Sequence, residues 1–160
     1  MNGEPNNVFV VLHSVHSVYR VVETAQVVYG LGFPTLAISK AEGSAAQTGI
    51  PEANRLALKM KRSFMVLPDL PDVIEALGVD RPLMITSPML TKERVDFNTL
   101  AQEVKSGQRV MIALCGTSSS FSRKEMDLGE CRSLDAVVDI GPVGSAAVIL
   151  YNVRSRLGEG

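Results

Sequence analysis

Tryptophan is absent from this chain, and aromatic residues make up only 5% of its 160 residues. Aliphatic side chains must therefore fill most of the core. The two cysteines, Cys115 and Cys131, are too few for a disulfide framework or a four-cysteine zinc site. No apolar run approaches the roughly 20 residues that a membrane-spanning helix needs, and no secretion signal precedes the first apolar segment. We therefore expect a cytoplasmic protein with no metal and no membrane partner.

A strong excess of charge of either sign is also missing, since the net charge is -1. A nucleic-acid partner would have to be bound by a local basic patch rather than by a globally basic surface. Hydrophobic residues at 46% and charged residues at 21% are typical of a globular protein. The length predicts a single domain over residues 1–160.

Apolar runs alternate along the chain with segments of helical periodicity. The predicted strands are residues 8–13, 33–39, 63–67, 81–88, 109–115 and 135–140. The predicted helices are residues 18–29, 51–61, 69–78, 91–107 and 144–151. Ser14 or Ser17 is expected to cap the first helix, and Asp69 the third. The Ala/Gly/Ser/Thr stretch over residues 41–49 is predicted to be a mobile loop.

This alternation predicts an α/β fold with a mostly parallel sheet and helices on both of its faces. In such folds, ligands bind beyond the carboxyl ends of the strands. The most informative segments are the last two predicted strands, which end in the Gly/Ser loop after Cys115 and at Gly141-Pro142. We expect backbone amides exposed in these loops to hold a small cofactor.

Few side chains stand out as candidates for chemistry. The polar loop over residues 116–125 is typical of a phosphate site, but it lacks the glycines and the Gly-Lys-Ser/Thr ending of a P-loop. His13 and His16 lie at the end of the first strand and could act as acid, base or metal ligand, although isolated histidines are more often structural. The serines lack a nucleophile elbow. Arg20 interrupts an apolar helical run, where it either orients a phosphate or faces solvent.

The order of these features resembles the SPOUT superfamily of methyltransferases, most closely the branch that methylates the ribose 2'-hydroxyl of RNA. Three segments carry the resemblance: residues 13–25 with Gly30, residues 110–116 with residues 121–125, and residues 139–151. The resemblance implies a carboxyl-terminal trefoil knot and a dimer that packs residues 18–29 and 145–156 across a two-fold axis.

The resemblance also implies S-adenosyl-L-methionine as cofactor, held by the loops over residues 86–88, 114–116 and 140–145. The residues expected to bind it are Ser87, Pro88, Leu114, Cys115, Gly116, Ile140, Gly141, Val143, Gly144 and Ser145. Arg20, together with His16, is expected to position the acceptor. The expected enzyme is an S-adenosylmethionine-dependent methyltransferase acting on tRNA or rRNA.

Basic residues are expected to meet the RNA backbone. They are Lys59, Lys61, Arg62, Arg123 and Lys124. Two other functions stay open at this point. His16 or Ser17 stands where the family has asparagine, which fits a knotted RNA-binding protein without catalysis. An α/β enzyme acting on a phosphorylated metabolite, with the Gly116 loop as its anion site, also fits.

Overall fold

A six-stranded parallel sheet forms the centre of the computed structural model, which describes residues 4–158. Its strands are β1 (Val8–Val15), β2 (Thr35–Ala41), β3 (Ser63–Leu67), β4 (Arg81–Ile85), β5 (Val110–Cys115) and β6 (Glu130–Arg132). Their order across the sheet is β3-β2-β1-β5-β4-β6. All five neighbouring pairs run parallel, so every strand ends at the same edge of the sheet.

Within residues 4–158, five α-helices lie between successive strands, and a sixth follows β6. They are α1 (Val18–Gly30), α2 (Ile50–Met60), α3 (Leu70–Leu77), α4 (Phe97–Lys105), α5 (Arg123–Met126) and, after β6, α6 (Gly141–Leu157). Side-chain oxygens cap two of the predicted helix starts. Ser17 accepts a hydrogen bond from the backbone N–H of Arg20, and Asp69 accepts one from that of Leu70. Both fill bonding positions that a helix leaves open at its first turn.

The core consists of two apolar layers, one on each face of the sheet. Side chains of α1, α2, α4 and α6 pack on one face, whereas α3 and the chain around α5 cover the other. Because both faces are covered, the central strand β1 is apolar and buried over nearly its whole length. The predicted α/β architecture with helices on both faces is confirmed. The trefoil knot stays a prediction.

The predicted strand over residues 135–140 is wrong. These residues form bends, and Val137 is 90% exposed. The strand at this edge is β6, which begins just after Gly129. A side chain at Gly129 would lie 2.3 Å from the carbonyl oxygen of Pro82, so glycine allows the chain to approach β4 here. Residues 135–140 follow the edge strand β6 and pair with none of the described strands.

The predicted mobile loop over residues 41–49 is also wrong. Strand β2 continues to Ala41, and a π-helical segment, Ala45–Gly49, runs directly into α2. Ala45 is fully buried, and a Cβ added at Gly49 would lie 3.2 Å from the Cβ of Val21 in α1. The small residues that suggest a loop are therefore those that let this segment pack closely against α1.

The boundaries of two predicted helices and of one predicted strand also differ from those in the structure. Helix α4 begins at Phe97 rather than residue 91, because backbone hydrogen bonds with Ser133 hold the preceding residues in extended form. Strand β4 ends at Ile85, and α6 is longer than the predicted residues 144–151. Within residues 4–158, none of the helices is long and apolar enough to cross a membrane.

Candidate active site

His13 lies near the carboxyl end of the central strand β1, and its side chain is almost fully buried at 1% exposure. Its Nδ1 lies 2.8 Å from Oγ of Ser39, its register partner on β2. Its Nε2 lies 2.6 Å from Oε2 of Glu125 in α5. Both ring nitrogens are therefore bound, which fixes the orientation of the imidazole.

Asp69 and Glu125 complete a cluster with His13. Asp69 follows the end of β3, and Glu125 follows the loop after β5. One ligand atom from each of the three side chains lies within 4.8 Å of the others. The parallel sheet produces this cluster, because each residue lies at or just beyond the carboxyl end of a strand.

The contacts of Glu125 favour the ionised form of its carboxyl group. Burial works to raise its pKa, but hydrogen bonds from the backbone N–H of Ser122 and from His13 outweigh burial and lower it. Ser122 and Glu125 form a reciprocal capping box at the start of α5. The short helix thus holds a carboxylate against a buried imidazole.

Ser39, His13 and Glu125 contact one another in the order of a Ser-His-acid hydrolytic triad. Burial of the serine, however, excludes nucleophilic catalysis by this triad. Ser39 has 0% exposure, so its hydroxyl cannot reach the carbonyl carbon of a substrate. Asp69 is half-buried and the side chain of Glu125 is 18% exposed, so the cluster opens to solvent on their side. A substrate or ion must approach from there.

Two residues next to the cluster have unusual backbone conformations. Ser14 has a backbone φ of 60° and Lys40 one of 55°, values that residues other than glycine seldom adopt. They directly follow the paired residues His13 and Ser39. Both strands therefore bend at the cluster, and strained backbone of this kind concentrates at functional sites. Phe121 stacks over the His13 ring, with centroids 6.0 Å apart.

Arg20 and His16, the two residues predicted to position the methyl acceptor, differ in their surroundings. Arg20 donates a hydrogen bond from Nη1 to the carbonyl oxygen of Gly116 at 2.5 Å, so it does reach the loop after β5. His16 is exposed, and its contacts are through its carbonyl oxygen, which accepts from the backbone N–H of Ala45 and from Oγ of Ser44. The structure thus gives His16 a backbone role beside the buried His13.

Two of the three predicted cofactor loops come together. A narrow crevice of about 10 Å³ separates residues 86–88 from residues 140–145. Its lining residues are Ile85, Thr86, Pro88, Leu134, Ala136, Val138, Asp139, Ile140 and Ser145. The third predicted loop, residues 114–116, does not line this crevice, and neither do Ser87, Gly141, Val143 or Gly144. Binding of S-adenosyl-L-methionine here stays a prediction.

The polar loop after β5 bonds mostly to itself. Cys115 is half-buried and donates from Sγ to the carbonyl oxygen of Ser119 at 2.9 Å. Oγ1 of Thr117 lies 3.1 Å from the same oxygen. Part of the hydrogen-bonding capacity expected for a phosphate is therefore used within the loop.

The predicted basic patch is divided. Lys59, Lys61 and Arg62 lie just before β3 begins, at the amino edge of the sheet. Arg123 and Lys124 lie in α5, at the carboxyl edge, beside the cluster. Arg62 is also paired with the carboxylate of Glu4. The five residues therefore do not form one nucleic-acid surface.

Sequence reasoning missed Asp69 and Glu125 as site residues. Glu125 is 112 positions from His13 along the chain, so ligand spacing in the sequence gives no sign of their contact. The predicted strands did contain a signal, because His13, Ser39 and Asp69 each lie within a few residues of the carboxyl end of a predicted strand. Comparing polar residues across these strand ends would have assembled most of the cluster.

Comparison with known proteins identifies the family. The model of a family described as RecB-family nuclease (DUF2122) matches residues 43–152, which is most of the chain. The chain belongs to this family. Asp69 and Glu125 lie inside the matched span of the DUF2122 family, and His13 lies before it.

Two archaeal relatives support the same assignment. A protein of Methanocaldococcus jannaschii, provisionally named type II restriction enzyme MjaORF1200P, is 30% identical over 93% of this chain and 97% of its own length. A protein of Aeropyrum pernix, provisionally named type II restriction enzyme ApeKORF2002P, is 39% identical over 98% of both chains. The similarity therefore extends over nearly the whole length of these DUF2122 relatives.

The fold has different neighbours. The crystal structure of the SpoU methyltransferase AviRb from Streptomyces viridochromogenes matches with a TM-score of 0.70, at 15% identity, over 98% of this chain and 62% of that one. The crystal structure of the A. aeolicus TrmH/SpoU tRNA modifying enzyme matches with a TM-score of 0.63, at 16% identity, over 96% of this chain and 77% of that one. This DUF2122 chain therefore shares the arrangement of strands and helices found in SpoU-type methyltransferases, as the sequence resemblance predicts. At such low identity the likeness concerns the fold alone.

The predicted RNA methyltransferase function is contradicted by these findings. The family description and both archaeal relatives name nucleases or restriction enzymes, not methyltransferases. The prediction failed because it transferred a reaction from an arrangement of strands and loops, and one fold serves many reactions. That the chain is an enzyme is supported.

Proposed function

We propose that this protein is a nuclease that hydrolyses phosphodiester bonds at the carboxyl edge of its sheet. The observation that carries the proposal is the cluster of His13, Asp69 and Glu125, at the place where α/β folds hold their ligands. The family description and the names of the archaeal relatives favour nucleic acid as the substrate, and the latter favour duplex DNA.

Phosphodiester hydrolysis requires an activated water and stabilisation of the negative charge that develops on the phosphate oxygens. The three side chains of the cluster offer a nitrogen and carboxylate oxygens that fit a divalent metal ion. Such an ion, when bound, would supply both a nucleophilic water and a Lewis acid. The protein's own part is to hold these donors in place through Ser39, Leu70 and Ser122.

Cationic side chains near the cluster suit the phosphate backbone. Arg20 reaches the Gly116 carbonyl from α1, while Arg123 and Lys124 lie in α5 next to Glu125. Basic groups of this kind position a nucleic acid through its phosphates without reading its sequence. We expect Arg20 to contribute to binding rather than to the hydrolytic step.

The test is cleavage of supercoiled plasmid and of an end-labelled DNA duplex, followed on gels with Mg²⁺, Mn²⁺ or Zn²⁺ and with a chelator. We expect cleavage that needs a divalent ion and that falls at least about 100-fold in the Asp69→Asn and Glu125→Gln variants, because each loses a charged group of the cluster. Both substitutions keep a side chain able to make the original cap.

Asp72→Asn is the matched control, since Asp72 is an exposed acid in the first turn of α3, outside the cluster. Its activity should equal that of the unmodified protein. Cleavage that persists in both cluster variants would show that another part of the chain, or a contaminant, is responsible. The absence of cleavage of DNA and of an RNA of the same length would contradict the proposed function.

A further inference from the structure

The donor atoms of His13, Asp69 and Glu125 are already near the spacing of ligands to one ion. They lie within 4.8 Å of one another, and Nε2 of His13 and Oε2 of Glu125 are 2.6 Å apart. Nitrogen and oxygen ligands lie about 2.0–2.2 Å from a bound Zn²⁺, which places neighbouring ligands roughly 3–3.5 Å apart. Small side-chain movements would therefore open a coordination position between these atoms.

Each of the three side chains is held by a second contact on its far side. Nδ1 of His13 is bound to Ser39, Oδ1 of Asp69 accepts from the N–H of Leu70 at 2.8 Å, and Oε1 of Glu125 accepts from the N–H of Ser122 at 2.8 Å. Metal ligands are typically oriented by such outer contacts. Each residue thus presents one remaining donor atom, with its rotation restricted.

The contacts of His13 also fit a change of tautomer. Nε2 faces the Glu125 carboxylate, so these contacts fit the tautomer with its proton on Nε2 and with the Ser39 hydroxyl donating to Nδ1. If an ion took Nε2, the proton of Nε2 would pass to Nδ1 by way of solvent, and Nδ1 would then donate it to Oγ of Ser39. Ser39 can serve as a partner in both tautomers because a hydroxyl both donates and accepts.

The mixed donor set favours one class of ion. Imidazole nitrogen suits first-row transition metals, whereas Mg²⁺ prefers oxygen ligands, near-octahedral geometry and several bound waters. The buried His13 ring, stacked with Phe121, places a nitrogen rather than an oxygen on the inner side of the cluster. The two carboxylates also balance the charge of a divalent ion in a partly buried position.

We propose that His13, Asp69 and Glu125 form a binding site for one transition-metal ion of the Zn²⁺ class, with Ser39 as the positioning residue of His13. The site deepens the proposed nuclease function and rests on it for its biological role. Metal binding at the site, however, can be measured in the absence of nucleic acid.

The experiment is calorimetric titration of the full chain with ZnCl₂, MnCl₂ and MgCl₂, with the change in melting temperature as a second readout. We expect one site per chain, at least tenfold tighter binding of Zn²⁺ than of Mg²⁺, and a higher melting temperature with Zn²⁺. Asp69→Asn and Glu125→Gln should each weaken Zn²⁺ binding at least tenfold. Asp72→Asn should leave it unchanged.

Ser39→Ala should weaken Zn²⁺ binding by about 10- to 100-fold, as expected for loss of an outer partner. Ser39→Thr keeps a hydroxyl and should restore part of the affinity if it folds. Nuclear magnetic resonance of His13, in the unmodified chain, should show its ring signals move on addition of Zn²⁺.

Unchanged Zn²⁺ affinity in both carboxylate variants would overturn the inference, as would Mg²⁺ binding as tight as that of Zn²⁺. A protein that binds Zn²⁺ as expected but cleaves no nucleic acid contradicts the proposed function alone. A protein that cleaves DNA, loses cleavage in both carboxylate variants and yet binds no ion at this cluster contradicts this inference and leaves the cluster as the site of cleavage.

Discussion

Gly116 lies where β5 ends against the bend of β1, and the space there admits no side chain. A Cβ at this position would be 2.7 Å from the Cβ of Val15 and 2.8 Å from the carbonyl oxygen of Ser14. We expect Gly116→Ala to lower the free energy of unfolding by about 1–3 kcal/mol, because backbone must move to relieve the collision. Urea denaturation measures this change.

Gly30→Ala is the control for that substitution. Gly30 ends α1, lacks a positive φ, and a Cβ there would meet nothing within 4 Å. The free energy of unfolding of the Gly30→Ala variant should stay within about 0.5 kcal/mol of that of the unmodified protein, as for most surface changes. Equal losses in both variants would contradict the explanation by close approach.

The sequence allowed some of these residue positions to be predicted and hid others. Ser17 and Asp69 were predictable as caps, since capping depends on residues a few positions away. The role of His13 was not predictable, because its partner Glu125 follows a different strand, 112 residues away along the chain. Contacts between distant segments depend on the order of strands in the sheet, which local patterns do not specify.

At the scale of elements, charged residues attach the short edge strand β6 to its neighbour. Arg81 of β4 pairs with Glu103 of α4 and with Glu130 of β6, and Arg132 also pairs with Glu130. Charged side chains along an edge strand discourage pairing with another chain. This strand was missed because Glu-Cys-Arg has no apolar alternation to reveal it.

The carboxyl group of Glu130 gives a prediction for pH. The hydrogen bond from Arg81 holds its pKa below the usual 4.5, although burial works against this. A lowered pKa stabilises the folded state above about pH 4.5, and the benefit disappears as the pH falls through the folded-state value. Glu130→Gln should therefore cost a few tenths of a kcal/mol to about 1 kcal/mol at pH 7, and nothing at strongly acidic pH.

Denaturation across this pH range measures that effect. Glu75→Gln, at an exposed position of α3, should show no such dependence on pH. A cost for Glu130→Gln that is as large in acid as at pH 7 would mean that the substitution acts through packing rather than charge.

At the scale of the molecule, fold and family point to different reactions. The same parallel sheet occurs in SpoU-type methyltransferases, whereas the family is described as a nuclease. The fold determines only that strand ends converge at one edge; the side chains found there decide the chemistry. A buried histidine with two carboxylates differs from a cofactor site built from backbone amides, so the reaction had to be inferred from the site.

The exposed aromatic residues of α1 and α6 predict how whole chains associate. Tyr19 is 76% exposed and Tyr151 is 63% exposed, on two helices that contact one another in the same layer. Large exposed apolar groups on adjoining helices are typical of an interface. We expect light scattering to give about twice the 17.2 kDa mass of one chain, and Tyr151→Asp to dissociate the dimer.

Leu58→Asp on α2 places the same charge at another exposed apolar residue, 71% exposed, and should leave the dimer intact. A monomeric unmodified protein, or equal dissociation by both substitutions, would contradict the predicted interface.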